Sequence, residues 1–174
     1  DEQRQNLIAW KNATKRVGKG TGKYASRHRK AAKEHMEGCR SAIPAWVMPI
    51  HRVAEFIQPG KDMFDVVIVD EASQSGLEAL FLTYVAKKVI VVGDDKKISP
   101  QSFAKREDVE QLRQQHIRTL PHSQEYDVDT SLFDMTEIRY KGRIRLREHF
   151  RCMPEIIQFS NKLCYEGEPL IPLK

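Results

Sequence analysis

Asp70 and Glu71 follow the apolar run Phe64-Asp65-Val66-Val67-Ile68-Val69, and Gly93 and Asp94 follow Lys88-Val89-Ile90-Val91-Val92. In an open α/β sheet, ligands gather at the carboxyl ends of the strands, so both acidic segments fall where a site would form. An Asp at such a strand end suits a hard cation such as Mg²⁺, usually held through water, and an adjacent Glu can orient and deprotonate an attacking water. The same pair can instead cap a following helix, which is a purely structural use. A nuclease-like site made of Asp70, Glu71 and Asp94 is a further alternative. It would need a lysine beside the carboxylates, a place for Lys96 or Lys97.

The elements that must position these residues can be read from the pattern. Both runs are β-branched and continuous rather than alternating, as strands of a parallel sheet covered on both faces require. Between them, Leu77, Leu80, Phe81, Tyr84 and Val85 recur at helical spacing from Gly76 to Ala86, so strand, helix and strand are expected with a right-handed crossover. Two helices are expected in the first forty residues, one through Leu7, Ile8 and Trp10 and one from Tyr24 to Glu37, around the turn Gly18-Lys19-Gly20-Thr21-Gly22. The proline-bracketed run Ala42 to Pro49 reads as a buried strand or an extended segment. From Gln101 to about Tyr140 the pattern loosens into an excursion from the sheet: a polar helix from Phe103 to Ile117, a polar stretch, and the small apolar element Ser131-Leu132-Phe133-Asp134. Ile144-Arg145-Leu146 reads as a returning strand, and Pro154 suits the first turn of a helix running to about Tyr165.

Composition bounds the class. The chain has 174 residues, 40% hydrophobic and 30% charged, which is room for one globular domain or a piece of a larger one and excludes a disordered or fibrous chain. No apolar run approaches the roughly 18 residues that span a bilayer, and Asp1-Glu2-Gln3-Arg4 does not open a signal peptide, so an intracellular chain is expected. Cys39, Cys152 and Cys164 are an odd number without CxxC spacing, which points to buried or idle thiols rather than a disulfide framework or a zinc site. The six histidines show no metal spacing such as HExxH. The net charge of +5 is uneven: residues 1–40 hold eleven Lys/Arg against four Asp/Glu, and the remainder hold eighteen against twenty. A basic front on a near-neutral body suits phosphate contact by counterion release, with a solvated helical face as the plain alternative.

Three segments together resemble a known family. Val67-Ile68-Val69-Asp70-Glu71-Ala72-Ser73-Gln74, then Val91-Val92-Gly93-Asp94-Asp95-Lys96-Lys97-Ile98-Ser99-Pro100, then Leu146-Arg147-Glu148-His149-Phe150-Arg151-Cys152-Met153-Pro154-Glu155-Ile156 are similar to motifs II, III and IV of superfamily 1 helicases, in that order. The likeness is to the branch with RNA and DNA helicases of the nonsense-mediated-decay and Okazaki-processing type. Phe159-Ser160-Asn161 and Tyr165-Glu166-Gly167 resemble the continuation after motif IV, and the resemblance runs from about residue 42 to 171. It implies RecA-like P-loop NTPase domains, with ATP between two of them and nucleic acid across both. Carried onto this chain, it implies that Asp70 holds Mg²⁺, Glu71 is the catalytic base, Asp94 couples the nucleotide site to the nucleic-acid groove, and Arg151 is an arginine finger from the second domain. The plain alternative for Arg151 is a surface arginine on a strand-to-helix turn.

Two departures qualify the resemblance. Motif III of the family usually reads Gly-Asp-x-x-Gln, and Lys97 replaces its glutamine, which suggests altered or weak turnover. The second departure concerns the phosphate-binding loop: Gly18-Lys19-Gly20-Thr21-Gly22-Lys23 fails GxxxxGK[ST] at Val17 and Tyr24, and no apolar strand leads into it. With that loop and motifs V and VI missing, the expected organisation is an internal fragment: a basic helical accessory element over 1–40, the rear of a first RecA-like domain over 41–140, and the start of a second over 141–174. Lys15, Arg16, Lys19, Lys23, Arg27, Arg29 and Lys30 are then candidates for sequence-independent nucleic-acid backbone contact. The implied partners are single-stranded or partly duplex nucleic acid, DNA favoured, with the rest of the polypeptide completing the ATP site and no membrane. A bacterial cytoplasmic ATPase, inactive as this segment alone, is the first expectation. A non-catalytic nucleic-acid-binding module with a degenerate helicase fold is the alternative.

Overall fold

The computed structural model describes residues 2–96 and 104–173. The chain divides into two compact units: residues 1–67 with 79–89, and residues 68–78 with 90–174.

The first unit is built on an antiparallel helical hairpin, α1 (Glu2–Val17) and α2 (Ala25–Cys39). Trp10, Ala13 and Val17 recur at helical spacing on α1, and Ala25, Ala32, Met36 and Cys39 do so on α2, so each helix offers one apolar stripe. Ala13, Val17 and Ala32 pack with Phe56 of α3 (Ile50–Phe56), a helix the sequence pattern did not announce. Side chains as small as alanine let the helices approach closely, and burying Val17 or Phe56 contributes about 1.5–3 kcal/mol each. Polar contacts fix the register: Asn6 Oδ1 lies 3.0 Å from His35 Nδ1, and Gln3 Nε2 donates to Ser41 Oγ at 3.0 Å. The turn uses Gly20 at φ +79°, where a Cβ would also collide with the Arg29 guanidinium. Residues 43–49 form neither helix nor strand, with a bend at Pro44, and Pro44 and Pro49 lack the amide donors a strand would need. Val47 is fully exposed, while Trp46 packs edge-on against Trp10 with ring centroids 5.1 Å apart.

Strands β1 (Phe64–Val69) and β2 (Ala86–Val91) are hydrogen-bonded neighbours, and both begin in the first unit and end in the second. They run the same way: Lys87 meets Asp65 at 2.8 Å, and Val92 N donates to Val69 O at 2.9 Å further along. The expected helix between them is broken into a 3₁₀ turn at Leu77–Ala79 and the single-turn α4 (Phe81–Val85). Burial on both faces is not found. Ile68 is 65% exposed and Ile90 50%, because a pair of strands has few elements to cover it.

In the second unit, α5 (Arg106–His116) buries no residue and is the polar helix of the excursion. Helix α6 (Leu132–Arg139) occupies the small apolar element and buries Leu132, Phe133 and Met135. Its start is fixed by a capping box: Asp134 N donates to Ser131 Oγ at 3.1 Å and Ser131 N donates to Asp134 Oδ2 at 3.0 Å. The returning strand lies later than Ile144-Arg145-Leu146: Ile144 and Leu146 are exposed, and pairing is confined to β3 (Glu148–His149) and β4 (Ile171–Pro172). Partner availability decides this, since Ile171 N donates to Arg147 O at 2.7 Å and Leu173 N to His149 O at 3.0 Å. Helix α7 (Pro154–Cys164) joins the two parallel strands, completing a small βαβ unit. Among the described residues the architecture is therefore α/β with two two-stranded sheets. Among the described residues the three cysteines are free thiols, and no helix is long and apolar enough to cross a membrane.

Candidate active site at the strand ends

The chain leaves β1 through a constrained turn. Glu71 sits in the left-handed region at φ 55°, ψ 35°, and its amide donates to the Asp70 carboxylate at 2.9 Å. A glutamate in that region costs on the order of 1–2 kcal/mol relative to right-handed backbone. Surrounding bonds hold it there: Ala72 N donates to Val92 O at 2.8 Å, and Gln74 N donates back to Glu71 O at 2.9 Å. Strain maintained in this way is characteristic of sites where side-chain direction matters. Both Asp70 and Glu71 are exposed. The 3₁₀ turn Ala72–Gln74 that follows lacks any side-chain cap at its start, so the capping use of Asp-Glu does not describe this turn.

The end of β2 is locked to the same turn. Asp94 N donates to the buried Ser73 Oγ at 2.7 Å. Gly93 leaves no room for a side chain there, since a Cβ would stand 2.6 Å from both Phe133 and Ser73 Oγ. Both oxygens of the Asp94 carboxylate accept a hydrogen bond: Lys96 N donates to Oδ1 at 2.9 Å, and the Tyr165 hydroxyl donates to Oδ2 at 2.6 Å. Burial, reinforced by Asp94, pushes the Tyr165 phenol up to about 12, so it stays a proton donor. Beside it, burial pushes the Asp95 carboxyl up, but Arg143 at 3.3 Å and Lys96 outweigh that and leave it below its ordinary value. Arg143 also pairs with Glu137 at 2.9 Å.

Arg151 lies exposed on the turn between β3 and α7, and among the described residues its guanidinium makes no hydrogen bond or ion pair. Its turn is pinned from within, because Cys152 N donates to His149 Nε2 at 3.1 Å. Lys97 lies outside the described residues. In the first unit, Lys15, Arg16, Lys19, Lys23, Arg27 and Lys30 are exposed around the turn end of the α1–α2 hairpin. Arg29 differs. Its guanidinium donates to Glu55 at 2.5 Å and to Gly20 O at 3.1 Å, and Arg52 meets the same Glu55 at 2.7 Å. Arg29 thus braces the glycine turn, a use its position in a basic run does not reveal. Tyr165, Ser73 and Arg143 were also not singled out by the sequence. Tyr165 stands in a segment resembling the family, but its partner is 71 residues away in the chain.

An exposed carboxylate at a strand end is the hard oxygen donor that Mg²⁺ prefers, and Asp70 fits that role. No group of three or more His, Cys, Asp or Glu able to hold a metal occurs among the described residues. Each Asp94 oxygen accepts one hydrogen bond, so the carboxylate ties the turn after β2 to Tyr165.

No protein-family model matches the chain. It is 28% identical over 142 residues, 78% of its length, to the uncharacterized ATP-dependent helicase MG140 of Mycoplasma genitalium, and 28% identical over 132 residues, 72% of its length, to the homologue in Mycoplasma pneumoniae. It is 30% identical over 107 residues, 60% of its length, to the 5'-3' DNA helicase ZGRF1 of Mus musculus. The chain resembles helicase segments. It spans 12%, 11% and 5% of the lengths of these three helicases, so the likeness concerns one region of much larger proteins.

Proposed function

We propose that this chain is the segment of an ATP-dependent superfamily 1 helicase or translocase that carries motifs II, III and IV, with DNA as the favoured strand. The observation that carries the reading is the strand-end arrangement: Glu71, held left-handed directly after Asp70, is tied through Ser73 to Asp94 of the neighbouring strand. The exposed apolar residues Ile68 and Ile90 support it further, since such strands belong in a wider, covered sheet of RecA-like type. Relatives named as helicases over most of this chain's length support the same class.

In this reading Asp70 anchors Mg²⁺, which supplies charge neutralisation at the phosphates. Glu71 orients a water and accepts its proton, aided by a backbone that fixes the carboxylate's exit direction from the turn. Asp94 holds the turn after β2 in register with that after β1. Arg151 is left with a free guanidinium able to meet developing negative charge. The exposed basic residues Lys15, Arg16, Lys19, Lys23, Arg27 and Lys30 contact the strand's phosphates, and Arg29 shapes the turn that presents them. The phosphate cradle and the remaining motifs belong to other parts of the polypeptide. ATP hydrolysis by the whole polypeptide, with and without single-stranded DNA, tests the assignment. Strand-stimulated turnover is expected, and strand binding without any hydrolysis would favour the non-catalytic module.

A further inference from the structure

The bond from the Tyr165 hydroxyl to Asp94 Oδ2 closes a chain of contacts that begins at Ser73. Asp94 is gripped at three points, its amide by Ser73 Oγ and its two carboxylate oxygens by Lys96 N and Tyr165. Tyr165 is itself well fixed. The Arg145 guanidinium lies over its ring at 5.4 Å and is held by Glu168 at 2.6 Å. Tyr165 N donates to Asn161 O at 3.1 Å, and the Asn161 side chain clamps Leu170 by donating to its carbonyl at 2.9 Å and accepting from its amide at 2.8 Å. The phenol therefore sits at the carboxyl end of α7, the helix whose first residue follows Arg151 by three positions.

We propose that Tyr165 is a positioning residue, whose hydroxyl sets the Asp94 carboxylate and joins the strand-end turns to the helix behind Arg151. Its meaning for turnover rests on the helicase reading, while the positioning itself does not. An 11-residue helix transmits a displacement of one end to the other, so a change at Asp94 reaches the Arg151 turn through Tyr165. A phenylalanine would fill the same space and lose only the donor.

The test is a double-mutant cycle in the whole polypeptide with Tyr165→Phe and Asp94→Ala. Tyr165→Phe is expected to lower strand-stimulated kcat for ATP about tenfold, as loss of a hydrogen bond to a charged group implies, with KM for ATP little changed. Added to Asp94→Ala, it is expected to cost nothing more. Unchanged kcat, or losses that multiply in the double variant, would overturn the inference. A second readout is independent of turnover: the alkaline absorbance of Tyr165, taken as the difference from Tyr165→Phe, is expected to titrate at lower pH in Asp94→Ala. An unmoved titration would overturn the positioning role. A moved titration in a protein that hydrolyses no ATP would sustain the positioning and sink the helicase reading.

Discussion

Asp94 N donates to Ser73 Oγ at 2.7 Å, so the turn after one strand is bolted to the turn after its neighbour. Ser73 is buried and Gly93 lies against it and Phe133, which makes this junction the place where acidic residues from separate segments acquire a fixed spacing. Polar groups buried in such a junction cost little because each is paired.

The junction has no spare volume at Gly93. Gly93→Ala should destabilise the fold by about 1–3 kcal/mol, the usual cost of forcing a methyl into a filled space. Denaturant unfolding at constant m-value measures it, and a change within about 0.5 kcal/mol would mean that Phe133 and Ser73 yield easily.

Glu55 gives the first unit a defined acid response. The hydrogen bond from Arg29 is the main cause holding its carboxyl below the ordinary value of 4.5; burial opposes the shift and Arg52 adds to it. A carboxyl lowered on folding binds its proton more weakly in the folded chain. The stabilisation is therefore present above pH 4.5 and lost as pH falls through the lower folded value. Glu55→Gln should cost on the order of 1 kcal/mol at neutral pH, with the difference from the parent shrinking as pH drops below that range. A difference that stays constant with pH would mean that the pair contributes nothing through charge.

The hairpin tip should bind nucleic acid through charge alone. Reversing Arg27 and Lys30 to glutamate, which leaves Arg29 and its Glu55 pair in place, should weaken single-strand binding several-fold. It should also flatten the salt dependence by about one to two units of slope. Fluorescence anisotropy across a salt series reads both quantities, and an unchanged slope would assign these residues to a merely solvated face.

Much of this was legible in the chain. Phe64 to Val69 and Lys88 to Val92 read as strands because β-branched runs ending in acid have few other readings, β2 in fact starting two residues earlier and running from Ala86 to Val91, and Pro154 marks the start of α7 within the family-like segment. The basic helical hairpin followed from apolar spacing on either side of a glycine turn. What failed depended on partners distant in sequence. Ile144 to Leu146 has strand-like composition, but pairing begins only where β4 supplies donors. Arg29 looked like one more free cation until Glu55, 26 residues later, took it up. The link between Tyr165 and Asp94 is a tertiary fact with no local periodicity to betray it.

The most direct test of the central claim is the rate of ATP hydrolysis by the whole polypeptide carrying Glu71→Gln, with nucleotide binding measured alongside. The glutamine keeps the shape and the left-handed turn but cannot accept a proton, so turnover should fall about 10²–10⁴-fold while ATP still binds. Turnover within a few-fold of the parent would contradict the assignment of Glu71 as the base and, with it, the catalytic reading of the strand-end site.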